Sequence, residues 1–278
     1  NTRSGESHFQ MLQNLELSYQ DHFSLKSYCD QLNIEFISTP YDINSAIFLN
    51  DHLNVRFFKT SSADIVDIPL QEYIASTGKN AIVSVGMASL GEIEKVYEIY
   101  NKCENKNLFL LHCVSNYPCS DKSLNLKVIK TLQNAFGVPI GYSDHSVGET
   151  GAIIAIAFGA QIIEKHFTLD KNLPGPDHPA SCTPEEFLNY ADAIRRAEIM
   201  LGNSIKKCQP EEIEMSKVSR KSLHLSRDKN EGEQLNEDDF LLMRPGTGLN
   251  YDKKEFLLGR ILKRKLKKGH LIEFSDLL

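Results

Sequence analysis

Two histidines stand 21 residues apart, and each closes an apolar run: Val138-Pro-Ile-Gly-Tyr-Ser-Asp-His145 and Gln161-Ile-Ile-Glu-Lys-His166. Imidazole is the commonest protein ligand for metal ions. If the two runs are neighbouring parallel strands, about 4.8 Å apart, both rings emerge at one edge of a sheet. With metal–imidazole bonds of about 2.0–2.1 Å, His145 and His166 can then share one divalent ion. A single histidine after a strand is usually held by a backbone carbonyl. A pair at adjacent strand ends is better explained by a shared ligand.

Other reactive side chains fall at the ends of similar runs. Lys59 closes its run in the order Lys-Thr-Ser-Ser, and a lysine ending a buried strand needs a partner for its ammonium. Hydroxyls of Ser62, Ser84, Ser115 and Ser143 come from four different run ends. They can donate to phosphate oxygens while Lys59 supplies a point charge. Any one of these serines reads more simply as a helix cap; their convergence with a lysine is the stronger signal. Cys113, Tyr117, Asp64, Asp144 and Glu164 lie at the same ends, whereas His112, inside its run, reads as a residue of the barrel layers or of an outer shell. Asp177, in the turn Gly175-Pro-Asp-His178, is either solvated or a carboxylate poised over the site to bind sugar hydroxyls. The basic stretch Lys253–His270 reads as a solvated face.

These residues need a scaffold. Apolar runs at Ile34–Ser38, Val55–Lys59, Ala81–Val85, Leu108–Val114, Val138–Tyr142 and Gln161–Phe167 start 21 to 30 residues apart. Several are almost wholly apolar, as strands buried on both faces are. Helix-like segments such as Leu90–Asn101 and Leu124–Ala135 separate them. This alternation predicts βα units and a parallel sheet. A doubly wound sheet gathers its ligands at one switch point, but here every run ends in polar residues and no GxGxxG or GxxxxGK[ST] loop follows one. The favoured fold is therefore α/β: a (β/α)8 TIM barrel, whose active site lies at the C-terminal strand ends, lacking its first two βα units in this chain. The polar stretch Asn1–Glu6 and the start at Asn1 rather than Met agree with an N-terminally incomplete barrel.

Past about residue 204 the pattern changes. The expected domains are a barrel at 1–204, a polar linker with a short helix at 205–217, and a small, mostly β module at 218–278 rich in turns such as Arg244-Pro-Gly246 and Lys267-Lys-Gly269. A module so small is marginal alone and is expected to dock onto something. The 278 residues are 41% hydrophobic and 24% charged, ordinary for a globular protein. A net charge of −6 argues against a nucleic-acid binder but leaves room for an anionic small substrate. No apolar run reaches the length of a transmembrane helix. Six scattered cysteines without a CxxC pair read as free thiols of a cytoplasmic protein.

In their order, seven segments resemble the sialic acid synthase family: Phe36-Ile-Ser-Thr-Pro-Tyr-Asp42, Lys59-Thr-Ser-Ser-Ala-Asp64, Ser84-Val-Gly-Met87, His112-Cys-Val-Ser-Asn-Tyr-Pro118, Gly141-Tyr-Ser-Asp-His145, Glu164-Lys-His-Phe167 and Gly175-Pro-Asp177. That family includes N-acetylneuraminate synthase and related nonulosonic acid synthases. Its members condense phosphoenolpyruvate with an N-acylated hexose, forming nine-carbon 3-deoxy-2-keto acids and phosphate. The C-terminal module resembles the family's antifreeze-like (SAF) domain. The resemblance implies metal ligands at His145 and His166, holding Mn2+ or else Mg2+ or Co2+. It implies phosphoenolpyruvate contacts at Lys59, Ser62, Ser84, Ser115 and Ser143, and reaction-site positions at Asp64, Tyr117 and Asp177. It also implies that Arg244 reaches the N-acyl group of the sugar from the partner subunit of a domain-swapped homodimer. Asp64 stands where some members carry glutamate, one methylene longer. The family places further site residues on two strands that this chain lacks, so 278 residues alone are expected to turn over poorly. Two readings stay beside the leading one: a legionaminic or pseudaminic acid-type synthase, and a non-catalytic carbohydrate-binding protein. An acceptor with its own phosphate would need a second basic cluster at the strand ends, and none is visible.

Overall fold

The computed structural model of the chain describes residues 7–278, and the polar stretch 1–6 lies outside the described residues. Contacts divide the chain into two units, Asn1–Gly202 and Asn203–Leu278. The first unit opens with α1 (His8–Leu15) and α2 (Tyr19–Gln31). Each begins at a serine, Ser7 or Ser18, in a reciprocal capping box with the residue three positions on. α3 (Ile43–Ile47) starts at Asp42, whose carboxylate accepts from the Ser45 amide.

Strands and helices then alternate: β1 (Phe57–Thr60), α4 (Ile68–Ser76), β2 (Asn80–Ser84), α5 (Leu90–Lys102), β3 (Leu108–His112), α6 (Val128–Phe136), β4 (Ile140–Asp144), α7 (Thr150–Ala157), β5 (Ile163–Lys165) and α8 (Pro184–Leu201). The strands pair in parallel in the order β1-β2-β3-β4-β5. Strand order equals chain order, so the sheet has no reversal and no doubly wound switch point. All its C-terminal ends therefore lie along one edge. α5 shows why the helices sit where they do. Ser89 and Glu92 cap its start, and Ile93, Val96, Ile99 and Tyr100 form the buried face, as the spacing predicts for Leu90–Asn101. α6 stops at Gly137, which takes a left-handed φ of 64° that a side chain would strain. Phe58, Val83, Leu110 and Ile140 from the strands meet Ile74, Val96 and Leu132 from the helices in one core. Each such side chain contributes roughly 1.5–3 kcal/mol on burial.

One expected strand is absent. Ile34–Ser38 carries no ladder, and Ile34 is 59% exposed. Apolar residues alone do not make a strand; a neighbour must accept the backbone hydrogen bonds. Among the described residues β1 pairs only with β2. The run is tied down instead through Glu35, which pairs with Arg56 at 3.0 Å, and through Phe36, packed against the core.

The second unit holds α9 (Ile213–Ser219) and an antiparallel pair, β6 (Ser222–Leu225) with β7 (Phe240–Met243). Isolated bridges, such as Lys229 with Leu266 and Gln234 with Ile261, link its turns. Leu223, Leu225, Leu235, Leu257, Leu262, Leu266 and Ile272 form its own core. Two fully buried carboxylates pin the loops: Asp239 bonds Lys229 and Arg227, and Asp276 bonds Arg264 and His270. Among the described residues no helix is long and apolar enough to cross a membrane.

Candidate active site

The C-terminal ends of β1 to β5 bring together the residues singled out from the sequence. Side chains alternate along a strand, so Ser143 and Glu164 share one face of the sheet. They meet there: the Ser143 hydroxyl donates to Glu164 Oε1 at 2.5 Å. Glu164 Oε2 is also 3.4 Å from the Lys59 ammonium, which is largely buried at the end of β1. One charged bond thus joins the first and last strands of the sheet.

Gly86 marks the middle of the floor. The Ser62 hydroxyl accepts from its amide at 3.0 Å. A Cβ on Gly86 would lie 2.6 Å from Ser115 Oγ and 2.8 Å from both Cys113 Sγ and Ser62 Oγ. Three polar side chains from the ends of β1 and β3 therefore converge on a bare backbone position. The Cys113 thiol is 3.1 Å from Ser62 Oγ, and burial pushes it up, so it stays neutral. Ser84, the last residue of β2, is 3% exposed. Its hydroxyl has no hydrogen-bond partner among the described residues. An orphaned buried hydroxyl costs about 1–3 kcal/mol, so its persistence calls for a reason.

The two imidazoles follow β4 and β5 directly. The rings of His145 and His166 lie 5.3 Å apart, centroid to centroid. His145 Nδ1 is 2.8 Å from the Val114 carbonyl oxygen. A carbonyl only accepts, so Nδ1 carries the proton and Nε2 presents its lone pair. Ser143 Oγ is 3.2 Å from that nitrogen, but its single proton goes to Glu164. Burial pushes the His145 imidazole down, against the Val114 carbonyl, and His166 adds to the lowering, so the ring is neutral at pH 7. His166 Nδ1 is 3.8 Å from Asp177 Oδ2. The Tyr117 ring lies 4.2 Å from His145 and 5.0 Å from His166. Its hydroxyl is pushed up to about 12, by burial first and then by Cys113, Asp177 and Glu164. Asp64 lies in the turn after β1 and accepts from Ser61 Oγ at 2.5 Å. Burial raises its carboxyl, Asp67 adds to this, and Ser61 and Lys59 oppose it.

His112 ends β3 but, paired with Tyr142, lies on the opposite face from Ser143: its Nε2 is 2.7 Å from the Leu124 carbonyl and its ring stacks on Tyr142. Arg244 belongs to the second unit, where it is exposed and its Nε donates to the Ser219 carbonyl. Two site residues had no assigned role. Glu164 is two residues before His166, and strand alternation alone puts it on the same face. Tyr41 comes from the loop before α3. Desolvation raises its hydroxyl, with Asp64, Asp177 and Glu164 adding to the effect; nothing local in the sequence marks its approach.

The NeuB family matches residues 1–206. The N,N'-diacetyllegionaminic acid synthase of Legionella pneumophila is 40% identical over 273 residues, 97% of this chain and 76% of that protein. The crystal structure of an N-acetylneuraminic acid (sialic acid) synthetase from Leptospira borgpetersenii is 36% identical. It aligns with a TM-score of 0.70 over 76% of this chain and 74% of that one. A putative spore coat polysaccharide biosynthesis protein E from Chromobacterium violaceum, 26% identical, aligns with a TM-score of 0.85 over 99% of this chain and 83% of that one. With most of its length matched, this chain belongs to the NeuB family.

Proposed function

We propose that this chain is a synthase that condenses phosphoenolpyruvate with an N-acylated hexose, of the N-acetylmannosamine or diacetamido type, to give a nine-carbon 3-deoxy-2-keto acid and phosphate. The observation that carries the reading is the orphaned Ser84 hydroxyl, at a strand edge where Lys59, Ser62, Ser115 and Ser143 also end. A donor with no acceptor among the described residues, on a strand edge that also carries a largely buried ammonium, suits an anion that fills the gap. Two of the three relatives named above are synthases of legionaminic and sialic acids, which favours the same substrates here.

The residues fit a divalent ion. His145 is held by the Val114 carbonyl so that Nε2 faces away with its lone pair, the arrangement that orients metal-binding imidazoles. Among the described residues no group of three or more His, Cys, Asp or Glu could hold an ion; His145 and His166 would be two protein ligands, with the other positions left to water and substrate. When bound there, Mn2+ or a similar ion would act as a Lewis acid toward the acceptor aldehyde. Lys59 and the hydroxyls hold the phosphate while carbon 3 of phosphoenolpyruvate attacks that aldehyde carbon. Water adds at carbon 2, and phosphate leaves by C–O cleavage. Asp64, whose carboxyl burial raises, would take the proton of that water. Tyr117 stays protonated at pH 7 and can donate to the developing oxyanion. Asp177, exposed at the rim, accepts from sugar hydroxyls.

Ser84→Ala tests the carrying observation. Removing an orphaned hydroxyl leaves the thermal stability of the free protein unchanged or slightly higher. Losing a hydrogen bond to a charged ligand, about 1.5–3 kcal/mol, raises the KM for phosphoenolpyruvate roughly tenfold or more. An unchanged KM would sink the phosphate cradle. The acceptor is read directly by incubating the full-length protein with phosphoenolpyruvate, Mn2+ and a panel of N-acylated hexoses, and following phosphate release.

The second unit carries a further part of the proposal. Its resemblance to an antifreeze-like domain suggests a domain-swapped homodimer in which the exposed Arg244 reaches the N-acyl group of the acceptor in the partner's site. Light scattering should then give a dimer. Arg244→Ala should raise the acceptor KM by about 10–100-fold, the loss of one charge-assisted hydrogen bond, while the phosphoenolpyruvate KM stays put. Equal effects on both substrates would make Arg244 a plain surface residue.

A further inference from the structure

Behind the candidate site the sheet buries an ion pair that the proposed chemistry does not use. Asp144 and Lys165 end β4 and β5 and are paired in register. By strand alternation they occupy the face opposite Ser143 and Glu164. Lys165 Nζ is 3.1 Å from Asp144 Oδ2, and the side chains are 3% and 0% exposed. The ammonium also donates to the Ser146 carbonyl at 2.5 Å and lies 5.1 Å from the Tyr190 ring centroid. Asp144 is saturated with donors. Oδ1 accepts from the Tyr142 hydroxyl at 3.0 Å, the Ser146 amide at 2.8 Å and the Ser146 hydroxyl at 2.7 Å. Oδ2 accepts from the Tyr190 hydroxyl at 2.8 Å as well as from Lys165.

The next residue after each partner is a histidine of the candidate metal site. The β4–β5 register ends at Asp144 and Lys165, so no ladder between the two strands fixes the backbone of His145 against that of His166. β5 is only three residues long. Past it, His166 is anchored through its carbonyl, which accepts from the Cys182 amide at 2.8 Å. The buried pair is thus the last cross-strand link before the two imidazoles. A fully satisfied buried network is stiff, because any displacement leaves a charge or hydroxyl unpaired in a low dielectric.

We propose that the Asp144–Lys165 pair, locked by the hydroxyls of Tyr142 and Tyr190, is a clamp that sets the spacing of His145 and His166. Asp144, Lys165 and Tyr190 are then positioning residues, and through Tyr190 the placement of α8 enters the geometry of the ion site. The inference rests on the metal reading above.

The test compares two conservative substitutions in the full-length protein. Tyr190→Phe removes one hydroxyl from Asp144 and keeps both charges and the ring. Tyr100→Phe is the matched control: Tyr100 is buried on α5 and its hydroxyl bonds Gln71 at 3.4 Å. Binding of Co2+ alone is followed by its visible absorption, and backbone hydrogen exchange is read at residues 145–147 and 165–168. Tyr190→Phe is expected to bind Co2+ roughly tenfold more weakly, as substitutions behind metal ligands do, with faster exchange in both segments. Tyr100→Phe should keep wild-type affinity even if it loses as much thermal stability. Wild-type affinity and exchange in Tyr190→Phe would overturn the clamp, as would equal weakening in both variants. Failure of the unsubstituted protein to bind Co2+ would strike the metal reading. Exchange would then decide the clamp: faster opening at both histidine segments in Tyr190→Phe alone supports it, and any other pattern overturns it.

Discussion

Replacing His145 or His166 by alanine is expected to lower metal-dependent phosphate release by about 10³-fold or more, with phosphoenolpyruvate binding changed only slightly. The size follows from the part an ion would play. Lewis-acid stabilisation of the developing alkoxide supplies several kcal/mol, and each 1.4 kcal/mol is about tenfold in rate. Each imidazole is one of the two ligands proposed for the ion, and among the described residues no group of three or more His, Cys, Asp or Glu could hold one. One histidine alone cannot hold the ion at useful concentrations. Most of the anion cradle is built elsewhere, around Gly86 and the ends of β1 to β3, with only Ser143 touching His145, so it largely survives the substitutions. Metal titration and steady-state phosphate release, with phosphoenolpyruvate binding by calorimetry, separate the two effects. Retained metal content and retained sugar binding in the double variant would favour a carbohydrate-binding protein over a synthase.

The residues of this site are legible in the sequence because a parallel sheet in chain order maps position along the chain onto position along one edge. Lys59, Ser84, Ser143 and His145 each follow an apolar run, and regular spacing of the runs is enough to bring them together. What the runs do not encode is pairing. Ile34–Ser38 has the composition of a strand and fails to form one, because a strand is a property of two segments and β1 pairs only with β2 among the described residues. Tyr41 is not marked by the runs for a related reason: the influence of Asp64, Asp177 and Glu164 on its hydroxyl comes from the path of a loop, which leaves no periodic trace. Asp144 and Lys165 were visible only as charges next to histidines. Their value lies in burial on the far side of the sheet, against a tyrosine supplied by α8 some 46 residues on.

Asp144→Ala is expected to destabilise the first unit by about 3–5 kcal/mol, the usual result of removing one member of a buried ion pair. Total stabilities are about 5–15 kcal/mol, so the loss is severe, roughly 10 °C in melting temperature for a unit of this size. The cause is what remains. Lys165 would keep its charge with no anionic partner, only the Ser146 carbonyl and the Tyr190 ring, and the hydroxyls of Tyr142 and Tyr190 would lose their acceptor, each at about 1–3 kcal/mol. A loss below about 1 kcal/mol, measured by denaturant unfolding with hydrogen exchange to resolve the first unit, would mean that water reaches the pair and that it is not the buried link described here. The double variant Asp144→Leu with Lys165→Met separates stability from geometry. Apolar side chains of similar volume often replace a buried ion pair at little cost, so much of the stability should return, short of what the two orphaned tyrosine hydroxyls withhold. Affinity for Co2+ should not return with it. Leucine and methionine can pack in several rotamers, whereas one carboxylate with five donors has one arrangement, and that arrangement is the one proposed to set the spacing of the two following imidazoles.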